Sequence, residues 1–253
     1  RNNTMVMAPT PYWFCHSIVY FAANNQQFRW RPPGNGDVNS KVRPQYADMP
    51  GRLFLYETPD NCAAWLQATP PDGSDGPRFN IAPGQDILVC PPDRVLRHMR
   101  WGMIPVGRVN ARGRPVMETI VNARSETVFE KSAFSGVGRC VVPANGWYEW
   151  TGEKRQKTAW KIEPRNGGLL AFAAIYDIWK GPAGAELFQV ATVTCAPSAD
   201  VRAIHDRMGV LLAQGDIERW LTGDVADIGP LMVPYPDGAL QVSQAIGVDW
   251  SAP

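Results

Sequence analysis

Residues 139–150 read RCVVPANGWYEW. RCVVPA is a short apolar run with β-branched residues, the signature of a strand. The next residues set one carboxylate, Glu149, between Tyr148 and Trp150, with Trp147 just before. An unpaired charge is expensive to bury, so Glu149 must be neutralised, paired or used. Outward from this stretch, RLFLYET, DILVC, HMRWGMIP, TAWKIEP, LLAFAAIYDIW and LFQVATVTC also read as strands. NCAAWLQA carries apolar residues at helical spacing, and DGSDGP (72–77) is a loop by composition. ADVRAIHDRM and AQGDIERWLTG read as two short helices, the second ending near Gly223. Strands outnumber helices and connections are short. The expected fold is therefore α+β, a mixed, largely antiparallel sheet with a few short helices.

Composition agrees. The 253 residues include 23 prolines, about twice the usual share, which disfavours a helical bundle. Apolar residues make up 45%, enough for a core. No apolar run approaches the roughly 18 residues of a membrane helix, so no membrane partner is expected. The net charge of +1 argues against general nucleic-acid affinity but leaves room for a local basic groove. Cysteines at 15, 62, 90, 140 and 195 form no C-x-x-C pair and read as reduced cytosolic thiols. Three scattered histidines make no zinc ligand pair, and with no nucleotide-binding loop no cofactor is expected. Residues 1–48 differ in texture. Pro9, Pro11 and His16 interrupt their apolar patch, a poor secretory signal, so they read as an extension before a domain at 49–253.

Four segments concentrate polar residues against apolar surroundings: RFNIAPGQ (78–85), VNARSETVFEKSAF (121–134), RCVVPANGWYEW and AIHDRMGVLL (203–212). Each has an ordinary structural reading. Asn122 and Arg124, on alternate residues of an extended segment, share one side and could brace a loop. His205 is a lone imidazole whose neighbours Asp206 and Arg207 could form a solvated pair worth little. Glu149 could salt-bridge to an arginine, and the tryptophans are core by default.

In order and wording, however, five motifs resemble the SRAP family, the SOS response-associated peptidase-like proteins. They stand here as NIAPGQ (Asn80–Gln85), WGMIP (Trp101–Pro105), NARSET (Asn122–Thr127), Arg139–Trp150 and IHDRM (Ile204–Met208). The resemblance implies a barrel-like fold and a monomer that engages abasic sites in single-stranded DNA. Such a protein is cytoplasmic in a bacterium and nuclear in a eukaryote. In the family an N-terminal cysteine supplies an α-amine for a Schiff base and a thiol that closes a thiazolidine. By the same resemblance Glu149 is the general acid/base, His205 assists proton transfer, and Asn122 holds the lesion and the amine. Arg52 and Arg124 correspond to phosphate-binding arginines, and Asn80, Trp101 and Trp147 to further DNA-contacting positions.

The sequence departs from the family at the nucleophile. M-C-G-R is replaced by Met49-Pro50-Gly51-Arg52, so Pro50 occupies the cysteine position without a thiol. Three readings follow. A chain beginning at Pro50 would have a secondary amine able to form an iminium, with crosslinking or β-elimination as outcomes. The protein could be a self-processing peptidase that removes residues 1–49. Or it could be a single-strand binding module without covalent chemistry. Lesser departures are Val106-Gly107 after WGMIP, Gly209 after Met208, and Gln241 in the last strand.

Overall fold

The computed structural model describes residues 50–252, apart from 74, 106–118, 154–155 and 182–183. The extension 1–48 and the Val106-Gly107 departure lie outside them.

Two sheets carry the fold. The first has five strands in the order β13 (Leu240–Gln244), β8 (Thr158–Pro164), β7 (Gly146–Thr151), β1 (Arg52–Leu55) and β2 (Arg78–Ile81), all antiparallel neighbours. The second is built on β9 (Leu170–Lys180) and β10 (Glu186–Cys195), which pair antiparallel over seven residue pairs. On β9 it adds β6 (Gly138–Ala144) and β12 (Leu211–Leu212). On β10 it adds β4 (Arg97–Trp101) and β5 (Asn122–Arg124), both parallel, and β11 (Met208–Gly209). β3 (Asp86–Val89) pairs antiparallel with β4. The helices are short: α1 (Pro59–Leu66), α2 (Ile217–Thr222) and α3 (Val225–Ile228). The expected mixed, largely antiparallel α+β fold is what forms. No helix among the described residues is long and apolar enough to cross a membrane.

RCVVPANGWYEW is the seam between the sheets. Its first half is β6 in one sheet and its second half β7 in the other, and the crossing is made at Asn145. That side chain is fully buried, so each of its polar atoms needs a partner. Oδ1 accepts from the amides of Tyr56 and Glu57 at 2.9 and 3.3 Å, and Nδ2 donates to the Gly168 carbonyl at 3.1 Å. At Gly146 a Cβ would lie 2.2 Å from the Ile162 carbonyl oxygen and 2.4 Å from the Phe54 ring. Only glycine lets the chain cross this close to β8 and β1.

One core fills the space between the sheets, with Leu53, Trp147 and Ile162 from the first meeting Phe172, Ala174 and Val190 from the second. Trp147 meets Phe172 edge to face at 5.6 Å, a contact worth about 1 kcal/mol beyond its area. Cys62, Cys90, Cys140 and Cys195 are buried free thiols whose pKa values burial raises, those of Cys62 and Cys195 to about 12. They pack as small hydrophobes.

The helix expected over ADVRAIHDRM does not form. Residues 199–204 make hydrogen-bonded turns, with Ser198 O accepting from Val201 and Arg202 and Val201 O from Ile204 and His205. The chain then extends, because Met208 and Gly209 pair with Cys195 and Thr194 of β10. Gly209 replaces the family's proline at a crowded point: a Cβ there would sit 2.5 Å from the Phe172 ring.

Candidate active site between the two sheets

Alternation along β7 decides where Glu149 points. Trp147 pairs with Leu53 on β1 and faces the core, so Glu149, two residues on, shares its face. It is 3% exposed. Its Oε1 accepts one hydrogen bond, from the Gly51 amide at 3.1 Å, and no ion pair reaches it among the described residues. Burial therefore wins over that single bond and raises its pKa to about 8. Of the three options for a carboxylate in an aromatic cluster, a proton provides the neutralisation.

The facing wall belongs to the second sheet. Asn122 and Arg124 of β5 stand opposite Thr192 and Thr194 of β10, and Thr192 stands opposite Ala174 of β9. Residues directly opposite share a face, so Asn122 and Arg124 lie on the Phe172–Ala174 face, which meets Trp147. The Thr192 hydroxyl donates to Asn122 Oδ1, which identifies Nδ2 as the side chain's remaining donor. Among the described residues, that Nδ2 is buried without a partner, as are Thr127 Oγ1 of the same NARSET motif and Arg207 Nε of IHDRM. Buried polar groups without partners are rare enough to mark a site.

Arg207 ties these motifs together. Its guanidinium forks onto Glu126 at 2.5 and 2.9 Å and donates to the Thr194 carbonyl at 2.6 Å. It is therefore no solvated pair with Asp206. Arg207's hydrogen bonds hold the Glu126 carboxyl down at about 2. The Arg207 amide also donates to His205 Nδ1 at 3.1 Å, while Asp206 Oδ1 lies 2.9 Å from the same nitrogen. A neutral ring cannot satisfy both. Burial lowers the His205 pKa, and the Asp206 side chain is 89% exposed, so the backbone amide is the fixed partner. This assigns a neutral imidazole with its proton on Nε2.

The remaining expected positions are placed differently. Pro50 is buried, one residue from the amide that binds Glu149. Arg52 pairs with Tyr148 and so lies on the opposite face of the first sheet from Glu149. There its Nη1 donates to Asn80 Oδ1 at 2.6 Å, and Asn80 Nδ2 donates to the carbonyls of Asp249 and Ala252 at 3.2 and 2.7 Å. Trp101 and Trp147 are both 0% exposed, so both rings are enclosed in the core. Trp101 donates to the Val121 carbonyl at 3.2 Å and steadies β5 beside Asn122. Among the described residues no hydrogen bond links the Glu149 wall to the Asn122–His205 wall. Sequence reading missed Gly51, Glu126 and Arg207; the last two lie inside motifs that it had singled out.

The family model described as SOS response associated peptidase (SRAP) matches residues 49–248. The abasic site processing protein YoaM of Bacillus subtilis is 31% identical over 208 residues, covering 78% of this chain and 90% of that protein. The abasic site processing protein YoqW of Bacillus phage SPbeta is 32% identical over 208 residues, covering 78% and 92%. Among solved structures, a phage-related protein of Bordetella bronchiseptica superposes with a TM-score of 0.61 at 27% identity, covering 78% of this chain and 94% of that one. A Bacteroides thetaiotaomicron protein shares the fold at a TM-score of 0.68 and 21% identity, covering 78% and 92%. With the family match running through both walls of the site, the chain belongs to the SRAP family.

Proposed function

We propose that this protein processes abasic sites in single-stranded DNA, with Glu149 moving the protons. The carrying observation is a carboxyl enclosed between two sheets, with a pKa near 8, while the packed face of the other sheet carries an amide donor with no partner among the described residues. The names of the relatives support the same substrate. An abasic sugar exposes its aldehyde only when the ring oxygen gains a proton and the anomeric hydroxyl loses one. A carboxyl that holds and releases a proton near neutrality suits both transfers. Asn122 Nδ2 would donate to a sugar oxygen, His205 Nε2–H would supply a second proton donor, and Arg124 would hold a phosphate.

The nucleophile is the amine of Pro50 in a chain that begins there. Its nitrogen adds to the aldehyde carbon, and the carbinolamine oxygen takes a proton from Glu149 and leaves as water, giving an iminium. Loss of a C2′ proton to a base then expels the 3′ phosphate, while addition of water returns the aldehyde. A thiazolidine is excluded because proline has no thiol. Where Pro50 is internal its nitrogen is an amide, and the site binds the lesion without a covalent step. Self-removal of residues 1–49 is the second reading, favoured by the hydrogen bond from the Gly51 amide, next to Pro50, to Glu149.

The test uses the full chain and a protein beginning at Pro50, each mixed with an abasic single strand and borohydride and run on a denaturing gel. Trapping of the Pro50-terminated protein alone is expected. Trapping of neither would remove the covalent reading, and equal trapping of both would exclude Pro50 as the nucleophile.

A further inference from the structure

The face of the first sheet turned away from Glu149 carries a second arrangement that the proposed chemistry does not use. Across three strands, Arg52, Tyr148 and Lys161 stand in one row, since Arg52 pairs with Tyr148 and Tyr148 with Lys161. After β13, at one edge of this sheet, the chain crosses to the other edge, where Asn80 of β2 holds the Asp249 and Ala252 carbonyls. On the way, Trp250 packs against Tyr148 and Trp150 at 5.0 and 5.3 Å. Between this strap and the sheet lies a cavity of about 430 Å³ whose walls include Phe54, Tyr56, Phe79, Tyr148, Lys161 and Asp249.

Three of its rings, Phe54, Tyr56 and Phe79, run nearly parallel, while Tyr148 is tilted 45° to Phe54 and meets Trp250 edge to face. Phe54 and Tyr56 are 6.3 Å apart and 19° from parallel; Tyr56 and Phe79 are 6.5 Å apart and 26° from parallel. Tyr56 is 39% and Phe79 54% exposed, so both offer ring surface to solvent. Aromatic pairs pack offset or edge to face, and a ring whose face is left open to solvent is what a flat ligand stacks on. Lys161 Nζ lies 5.0 Å from the Phe54 ring centre and also pairs with Glu163 at 2.5 Å, which places a cation at one end of the floor.

We propose that this cavity is a stacking subsite for one unpaired nucleobase of the bound strand. Its volume accommodates a base with its sugar. The two cations of the row, Arg52 and Lys161, stand on the same face as the aromatic floor, where a strand's phosphates would pass. The strap's main chain, at Gly247, Val248 and Asp249, borders the cavity and can meet the base edge. The subsite rests on the reading of the protein as a single-strand binder. It extends the expected contact beyond the lesion to an intact nucleotide.

The experiment measures fluorescence anisotropy with an undamaged, end-labelled oligo-dA strand and the full chain. Phe79→Ala and Tyr56→Ala remove exposed rings, and thermal melts check that both variants fold. Each is expected to weaken binding about tenfold, the loss typical of one stacked base. Wild-type binding that both variants retain overturns the subsite alone. A wild-type protein that binds no single strand overturns the DNA reading with it. Deoxyadenosine monophosphate as competitor separates the sources. Displacement of the strand at the same variant-sensitive site supports a base pocket. Variant-sensitive nucleotide binding that leaves the strand in place assigns the cavity to a free nucleotide and overturns the strand proposal.

Discussion

Glu149 on β7 and Glu126 just after β5 are the same residue type, and their surroundings pull them apart. Glu126 meets the forked guanidinium of Arg207 and is held at about 2. Glu149 meets one backbone amide inside an aromatic wall and is raised to about 8. Glu126 is thereby a permanent anion that braces the turn carrying His205. Glu149 is a carboxyl able to give and take a proton near neutral pH. A charged partner makes a strut; its absence, with burial, makes an acid.

The sharpest way to break this contrast is Glu149→Gln, which keeps the shape and removes the titrating proton. Borohydride trapping of the Pro50-terminated protein should fall at least a hundredfold, the usual scale of a general acid/base, with the thermal melt unchanged or raised. Trapping at the wild-type rate would leave Glu149 as a packing residue.

Stability against pH should separate the two carboxyls next. Glu149 has a folded pKa raised from 4.5 to about 8. Its contribution is full below 4.5 and is lost as pH rises to about 8, with a slope of about 1 kcal/mol per unit. Glu126, lowered from 4.5 to about 2, acts in the opposite sense. Its contribution is present above 4.5 and is lost as pH falls toward 2, weakly because the side chain is half exposed. Urea melts of wild type, Glu149→Gln and Glu126→Gln at pH 5 and 8 test this. The wild-type decline across that interval should vanish in Glu149→Gln and persist in Glu126→Gln.

Removing the strut instead of the acid, Arg207→Ala should cost about 1–2 kcal/mol, since hydrogen bonds to a partly solvated carboxylate and to the Thr194 carbonyl are lost. Denaturant unfolding measures the loss, and the trapping rate should fall less than for Glu149→Gln. The smallest effect belongs to Arg124→Ala, which should flatten the salt dependence of single-strand binding by about one phosphate contact. An unaltered slope would make Arg124 a structural residue.

Much of this architecture is legible in the chain. Runs such as LLAFAAIYDIW and LFQVATVTC become the long paired strands β9 and β10, because β-branched and aromatic residues between turn residues leave few other options. ADVRAIHDRM misleads because its apolar spacing suits a helix, while pairing of Met208 with Cys195 pulls the segment straight. That Trp101 and Trp147 are enclosed was not legible, because a motif position does not reveal whether a ring is buried.

The residues alone determined that RCVVPA makes a strand, that Asn122 and Arg124 share a side, and that Glu149 stands among aromatics. These follow from alternation and composition, which act over a few residues. Only the tertiary structure decided that Glu149 faces Phe172's sheet while Arg52 faces the strap, that Glu149 keeps its proton, and that Arg207 serves Glu126 instead of Asp206. Alternation distinguishes a strand's two faces but does not say which one meets the other sheet. Contacts across long separations settle that, 98 residues between Gly51 and Glu149 and 81 between Glu126 and Arg207.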